Sequence, residues 1–117
     1  MIRNIIFDWS GTLVDDLPAV WQATNHVFRL AGLPDLTLDQ FRAEFRLPFQ
    51  LFYDRYFPQV PSAELEARFH SRFLEVQEQV RALPHARSFL QFCRAQSLRT
   101  LILSTMREDH YHAMAAR

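Results

Sequence analysis

Ile5-Ile6-Phe7-Asp8-Trp9-Ser10-Gly11-Thr12-Leu13-Val14-Asp15-Asp16 is the stretch on which the reading of this chain turns. Its apolar start reads as a strand of a parallel sheet, buried on both faces. The strand delivers Asp8 to its carboxyl end, and Gly11, the first of two glycines, and Thr12 follow at once. In open parallel α/β sheets, ligands bind in the crevice beyond the carboxyl ends of the strands. Gly11 lets the backbone turn sharply or approach a ligand closely, and the N–H groups of such a turn can hold an anion. Asp8 would then serve as a nucleophile, a metal ligand, or both. The same residues also suit an ordinary tight turn, because Asp bonds its own backbone and Gly accepts positive φ.

Working outward, 117 residues make one domain or part of a larger one. Hydrophobic residues at 49% imply a real core. The formal charge is zero, which leaves no basic footprint for nucleic acid or an anionic membrane, so neither partner is expected. All thirteen basic residues are arginines, and without a lysine no Schiff-base mechanism that needs one can run on this chain. The lone Cys93 excludes an intrachain disulfide, suits a reducing compartment, and reads as a small core residue of a helix. The chain shows no signal peptide or membrane span, and a cytoplasmic location is the expectation.

Residues 2–8 form the expected first strand. Asp15 or Asp16 can cap the next helix, and Pro18 is tolerated in its first turn. Apolar residues recur at helical spacing from Ala19 to Leu30, and Gly32 and Pro34 end the pattern. Thr37 and Gln40 form a capping box for a helix running to about Arg46. An aromatic helix covers Phe49 to Phe57, and the longest helix is expected over Ser62 to Leu83, with Leu65, Phe69, Phe73, Val76 and Val80 as its apolar stripe. A further helix runs from Arg87 to about Gln96. A second continuous strand, Thr100 to Leu103, ends in Ser104-Thr105, and a helix follows from about Arg107 to Arg117. His110 and His112, at i and i+2, lie on different faces and are expected to be solvent-exposed. Glu108 and Asp109 suit a helix's first turn.

Asp8-Trp9-Ser10-Gly11-Thr12-Leu13-Val14-Asp15 resembles the first motif of the haloacid dehalogenase-like hydrolases, hhhhD-x-D-G-T-x-x-D with h hydrophobic. Leu101-Ile102-Leu103-Ser104-Thr105 resembles their second motif, a hydrophobic strand ending in Ser or Thr. The helical segment between these stretches sits where that superfamily places its cap. The implied fold class is α/β, a partial Rossmann-like parallel sheet core with an inserted all-helical cap. Residues 1–15 and 84–117 would form the core and residues 16–83 the cap.

The resemblance implies a magnesium-dependent phosphohydrolase acting on a small phosphorylated metabolite through an aspartyl-phosphate intermediate. Asp8 would be the nucleophile and, with the Ser10 carbonyl, a ligand of Mg2+. Gly11, Thr12, Ser104 and Thr105 would hold the phosphoryl group. Ser10 stands where the phosphatases carry a second Asp that protonates the leaving group and later activates water. Serine cannot do this near neutral pH, and such help is typically worth ~10²–10⁴-fold. The phosphonoacetaldehyde hydrolases read D-W-A-G-T at this point and the dehalogenases carry an aromatic residue, so a C–P or C–halogen hydrolase is an alternative. The former use a cap lysine, which this chain lacks. A non-catalytic fragment or binding module is the other alternative.

Two further superfamily motifs, a Lys or Arg and an acidic pair, are not visible. Two core strands cannot bury both faces of a parallel sheet. We therefore expect the N-terminal half of a longer parent, with a dimer partner or a complementing C-terminal segment left open.

Overall fold

The computed structural model describes residues 1–116, so the expected end of the last helix at Arg117 lies outside the described residues. The elements in chain order are β1 (Asn4–Phe7), β2 (Val14–Asp15), α1 (Leu17–Leu30), α2 (Leu38–Glu44), α3 (Phe49–Tyr53) and α4 (Ser62–Val76). A 3₁₀ turn (Gln77–Gln79), β3 (Arg81–Ala82), α5 (Ala86–Ala95), β4 (Arg99–Ile102) and α6 (Glu108–Ala115) follow. The fold is α/β, and the chain divides into two compact units, residues 1–17 with 77–117 and residues 18–76.

In the first unit β1 and β4 pair in parallel, with Asn4 opposite Arg99 and Phe7 opposite Ile102. The two continuous apolar runs are thus neighbours, as their β-branched and apolar composition predicts. The Leu103 N–H extends the ladder to the Phe7 carbonyl at 2.8 Å. Helix α5 covers one face of this sheet, where Phe7 meets Phe89 edge-on at 5.9 Å. Cys93 on α5 is fully buried, as its apolar neighbours imply.

Burial of both strand faces is not found. Phe7 is the buried residue of β1, and every residue of β4 is exposed. A parallel sheet of two strands has one face against α5, and its other face carries Ile6 and Leu101 in register. Continuous hydrophobicity tells that a strand is suited to two covered faces, not that both are covered.

The longest helix ends at Val76, not at Leu83. Beyond it, Arg81 and Ala82 pair antiparallel with Asp15 and Val14, and the Leu83 N–H reaches the Leu13 carbonyl at 2.9 Å. This small ladder satisfies backbone groups of residues 81–83 and binds the segment to the loop after β1. The outcome is a tertiary override of a helical pattern.

The second unit is helical. Thr37 Oγ1 accepts from the Gln40 N–H and Gln40 Oε1 accepts from the Thr37 N–H, so the expected capping box is present. Gly32, at φ +77°, ends α1 with the Leu33 N–H donating back to the Phe28 carbonyl at 3.0 Å. That left-handed position is one L side chains rarely occupy, and glycine does so freely. Asn25 clamps Leu36 from both sides, accepting from its N–H and donating to its carbonyl. Val27, Phe28, Phe52, Tyr53, Phe57 and Leu65 form the core. Burial pushes the Tyr53 phenol up to about 12.

Candidate active site

Asp8 follows β1 directly and Ser104 follows the end of β4 by two residues. Continued one step past Phe7–Ile102, the register places Asp8 beside Leu103, and Ser104 comes one residue later on the neighbouring strand's continuation. Parallel strands lie about 4.8 Å apart, so the carboxylate and the hydroxyl emerge at the same end of one sheet. Asp8 is exposed and Ser104 half-buried, so both can meet a ligand. Ser104 Oγ accepts from the Met106 N–H at 3.0 Å, which shapes the turn into α6 and leaves the hydroxyl proton free to donate. Thr105 and Thr12 are exposed at the same loops.

The loop after Asp8 is built around one carbonyl. Trp9 O accepts the N–H groups of Thr12, Leu13 and Val14 at 3.0–3.3 Å, and the Gly11 N–H donates to the Val14 carbonyl at 2.9 Å. Gly11 adopts φ +72° with open space where a Cβ would be. Glycine is therefore required by the left-handed backbone, not by a close approach. Trp9 itself is buried, its indole edge-on to Tyr111 of α6 at 4.8 Å. The expectation that this turn's N–H groups cradle an anion is corrected here: those of Gly11 to Val14 all point inward. What the loop offers a ligand includes the exposed residues Asp8, Ser10 and Thr12.

Asp8 Oδ1 accepts from the Trp9 N–H at 2.8 Å, which orients the carboxylate and leaves Oδ2 for chemistry. The Ser10 carbonyl takes none of the loop's inward N–H groups. The strand-end carboxylate and this carbonyl are hard oxygen donors of the kind Mg2+ takes alongside several waters. No group of three His, Cys, Asp or Glu converges among the described residues, so the protein donors for a cation here are few.

One residue was missed by sequence reasoning. Asp16, assigned to helix capping, turns back into the loop: it is 4% exposed and its Oδ2 accepts from the Ser10 hydroxyl at 2.5 Å. Burial holds its carboxyl above the usual range, the Ser10 hydrogen bond and its own backbone N–H act the other way, and the charges of Asp15 and Asp8 add to the rise. The only sequence signal was a hydroxyl and a carboxyl six residues apart across a glycine turn.

His110 corrects another expectation. It is buried, with Nδ1 3.4 Å from Gln77 Oε1, while His112 is exposed beside Glu108. The two histidines do lie on different faces. The i, i+2 spacing separates them, but it does not say which one meets the core.

Fold and site together define a class, α/β proteins with a polar cluster at the carboxyl ends of parallel strands. The sequence pattern of the haloacid dehalogenase-like hydrolase family matches residues 5–115, and the chain belongs to that family. A phosphoglycolate phosphatase of Rhodobacter capsulatus is 44% identical over 43 residues, 37% of this chain and 20% of that protein. A haloacid dehalogenase-like hydrolase of Streptococcus pneumoniae superposes with a TM-score of 0.82 at 20% identity, over 98% of this chain and 55% of that one. CbbY of Rhodobacter sphaeroides, solved in complex with phosphate, superposes at 0.78 with 18% identity, over 98% and 56%. These structural likenesses are ones of fold. The chain spans a little over half the length of both solved structures. No helix among the described residues is long and apolar enough to cross a membrane.

Proposed function

We propose that these residues form the nucleophile-bearing part of a phosphohydrolase for a small phosphorylated metabolite, with Asp8 as the attacking group. The observation that carries this reading is the placement of Asp8 and Ser104 at the same end of two adjacent parallel strands. Similarity to a phosphoglycolate phosphatase and to a fold solved with bound phosphate supports the substrate class. The absence of lysine disfavours the phosphonatase alternative.

Asp8 Oδ2 attacks phosphorus in line and forms an aspartyl phosphate, while Oδ1 stays hydrogen-bonded to the Trp9 N–H. Ser104, with its proton free, donates to a phosphoryl oxygen, and Thr12 and Thr105 line the same end of the sheet. Such donors stabilise charge that develops in the transition state. Asp8 and the Ser10 carbonyl would hold Mg2+, which when bound neutralises phosphoryl charge. Gly11 contributes its backbone turn. A complementing C-terminal segment or a partner copy supplies the remaining basic and acidic groups. The reducing cytoplasm suits the buried Cys93 thiol.

Ser10 supplies no leaving-group acid, so aryl and acyl phosphates should turn over well and alkyl phosphates poorly. Ser10→Asp should raise alkyl phosphate turnover by up to ~10²-fold or more. The new carboxyl would lie against Asp16, where a like neighbour favours retention of a proton. Asp8→Asn should abolish covalent phosphorylation. The check is hydrolysis of an aryl and an alkyl phosphate by the full-length protein and both variants. Equal rates on both esters, unmoved by Ser10→Asp, would refute the assignment of Ser10. Label surviving Asp8→Asn would refute that of Asp8.

A further inference from the structure

Asp16 is a carboxyl in an unusual position. It is 4% exposed, and none of the ion pairs among the described residues involves it. Its hydrogen bonds go to the Ser10 hydroxyl and to its own backbone N–H. A residue serving only to start α1 would turn its carboxyl to the backbone N–H groups of that helix's first turn. Here the carboxyl is turned away from water and directed at one side chain of the site loop.

The consequence for Ser10 follows from its inventory of bonds. A serine hydroxyl has one proton to donate and two lone pairs to accept with. At 2.5 Å from Asp16 Oδ2 the proton is committed, at the short end for a hydroxyl on a carboxylate. Ser10 is exposed, as is Asp8, on either side of the buried Trp9, and the charge of Asp8 is felt at the Asp16 carboxyl that holds Ser10. With its proton committed, what Ser10 has left to present is an acceptor of fixed direction.

We propose that Asp16 is a positioning residue, which by accepting the Ser10 proton aims the Ser10 lone pairs at the water that hydrolyses phosphoryl-Asp8. The proposal rests on the phosphohydrolase reading above. In the step concerned the water oxygen bonds to phosphorus and the bond from phosphorus to the Asp8 oxygen breaks. The carboxylate of Asp8 is regenerated, and both water protons leave on the inorganic phosphate. One water O–H points at Ser10 Oγ during the attack, so Ser10 orients without taking up charge. The arrangement serves the second half of the reaction and gives the first half no proton.

The test separates the two halves. The full-length protein is labelled with an aryl phosphate, quenched in acid, and the formation and decay of hydroxylamine-sensitive phosphoryl-Asp8 are followed. Asp16→Ala should slow decay about 10–100-fold, the scale of loss for a misplaced reactant, and leave formation nearly unchanged. Asp16→Asn, whose side-chain carbonyl still accepts the Ser10 proton, should keep most of the wild-type decay rate. Ser10→Ala should match Asp16→Ala, and the double variant should be no slower than either, since both remove one interaction. If Asp16→Ala does not fold, Asp16→Asn and Ser10→Ala carry the comparison.

Decay unchanged in Ser10→Ala, equal slowing of both halves, or an Asn variant as slow as the Ala variants would each overturn the positioning role. A wild-type protein that takes no label would overturn the phosphohydrolase reading and this proposal with it.

Discussion

In the helical unit Val27, Phe28, Phe52, Tyr53, Phe57 and Leu65 are buried against one another. In the sheet unit Ile6, Leu101 and Leu103 stand 63%, 48% and 73% exposed. The register and the two-residue period of a strand put these three on one face, opposite the face that α5 covers. The difference is one of how each architecture buries itself. Short amphipathic helices close a core among neighbours in sequence, with aromatic rings such as Phe28 and Phe57 meeting edge-on at 5.1 Å. A parallel sheet needs a layer on each face, and each layer comes from distant sequence. The residues proposed for the site, Asp8, Ser10 and Ser104, belong to the unit with the bare face, whereas the well-buried unit carries the structural caps and clamps.

The largest effect should come from the helical core. Phe28 is 1% exposed and touches the rings of Phe52, Tyr56 and Phe57. Phe28→Ala should destabilise this unit by about 3–5 kcal/mol, the sum of lost transfer energy and the cavity left behind. Each unit holds one of the two tryptophans, Trp21 in the helical unit and Trp9 in the sheet unit. Urea unfolding of a Trp9→Phe background, followed by Trp21 emission, reads the effect directly. A loss under about 1 kcal/mol would mean that the aromatic cluster does not hold the unit together.

A second, smaller effect concerns pH. Burial raises the Tyr53 phenol from 10 to about 12, so the folded state keeps a proton that the unfolded state releases first. The stabilisation is complete below pH 10 and is lost as pH rises towards 12. A two-unit shift corresponds to about 2–3 kcal/mol. Thermal unfolding of the helical unit between pH 9 and 12 should therefore fall steeply in the wild type, and less steeply in Tyr53→Phe. Parallel curves for the two proteins would show that Tyr53 ionises as freely folded as unfolded.

How much of this was legible in the sequence differs between the units. The existence of the two strands and of the helices, Gly32 as a helix terminator and the Thr37–Gln40 box follow from local pattern, because local backbone geometry decides them; the ends of the aromatic helix, at Tyr53 and not Phe57, and of the longest helix, at Val76, do not. The placement of Asp8 and Ser104 at the ends of adjacent strands was legible because each follows an apolar run. The missed features depend on distant or tertiary partners. Residues 77–83 continue a helical pattern, yet Gln77–Gln79 tighten into a 3₁₀ turn and the segment from Arg81 to Leu83 pairs with β2 and Leu13. Asp16 reads as a cap until the Gly11 turn brings it back to Ser10, and His110 reads as exposed until α6 packs on the turn holding Gln77. The inward N–H groups of the Gly11 loop were beyond reach for the same reason: composition shows that a turn can exist, not which carbonyl it closes on.

The smallest effect should come from the bare face, and it tests the comparison most sharply. Leu101 is 48% exposed on β4, so nearly half of its side chain already meets water in the folded state. Leu101→Thr removes apolar surface that contributes little burial and introduces a β-branched side chain suited to a strand. The stability of the sheet unit, read by Trp9 emission in a Trp21→Phe background, should change by no more than about 0.5 kcal/mol, as for other exposed positions. Phe7→Ala on the covered face, where the ring is 8% exposed and packs on Phe89, should cost several times more. If Leu101→Thr instead costs about 2 kcal/mol or more, the face is covered in solution. The loss should then depend on protein concentration if a second copy covers it, and be independent of concentration if further residues of the same chain do. Either result would make the contrast between the two units a property of these residues alone rather than of the whole protein.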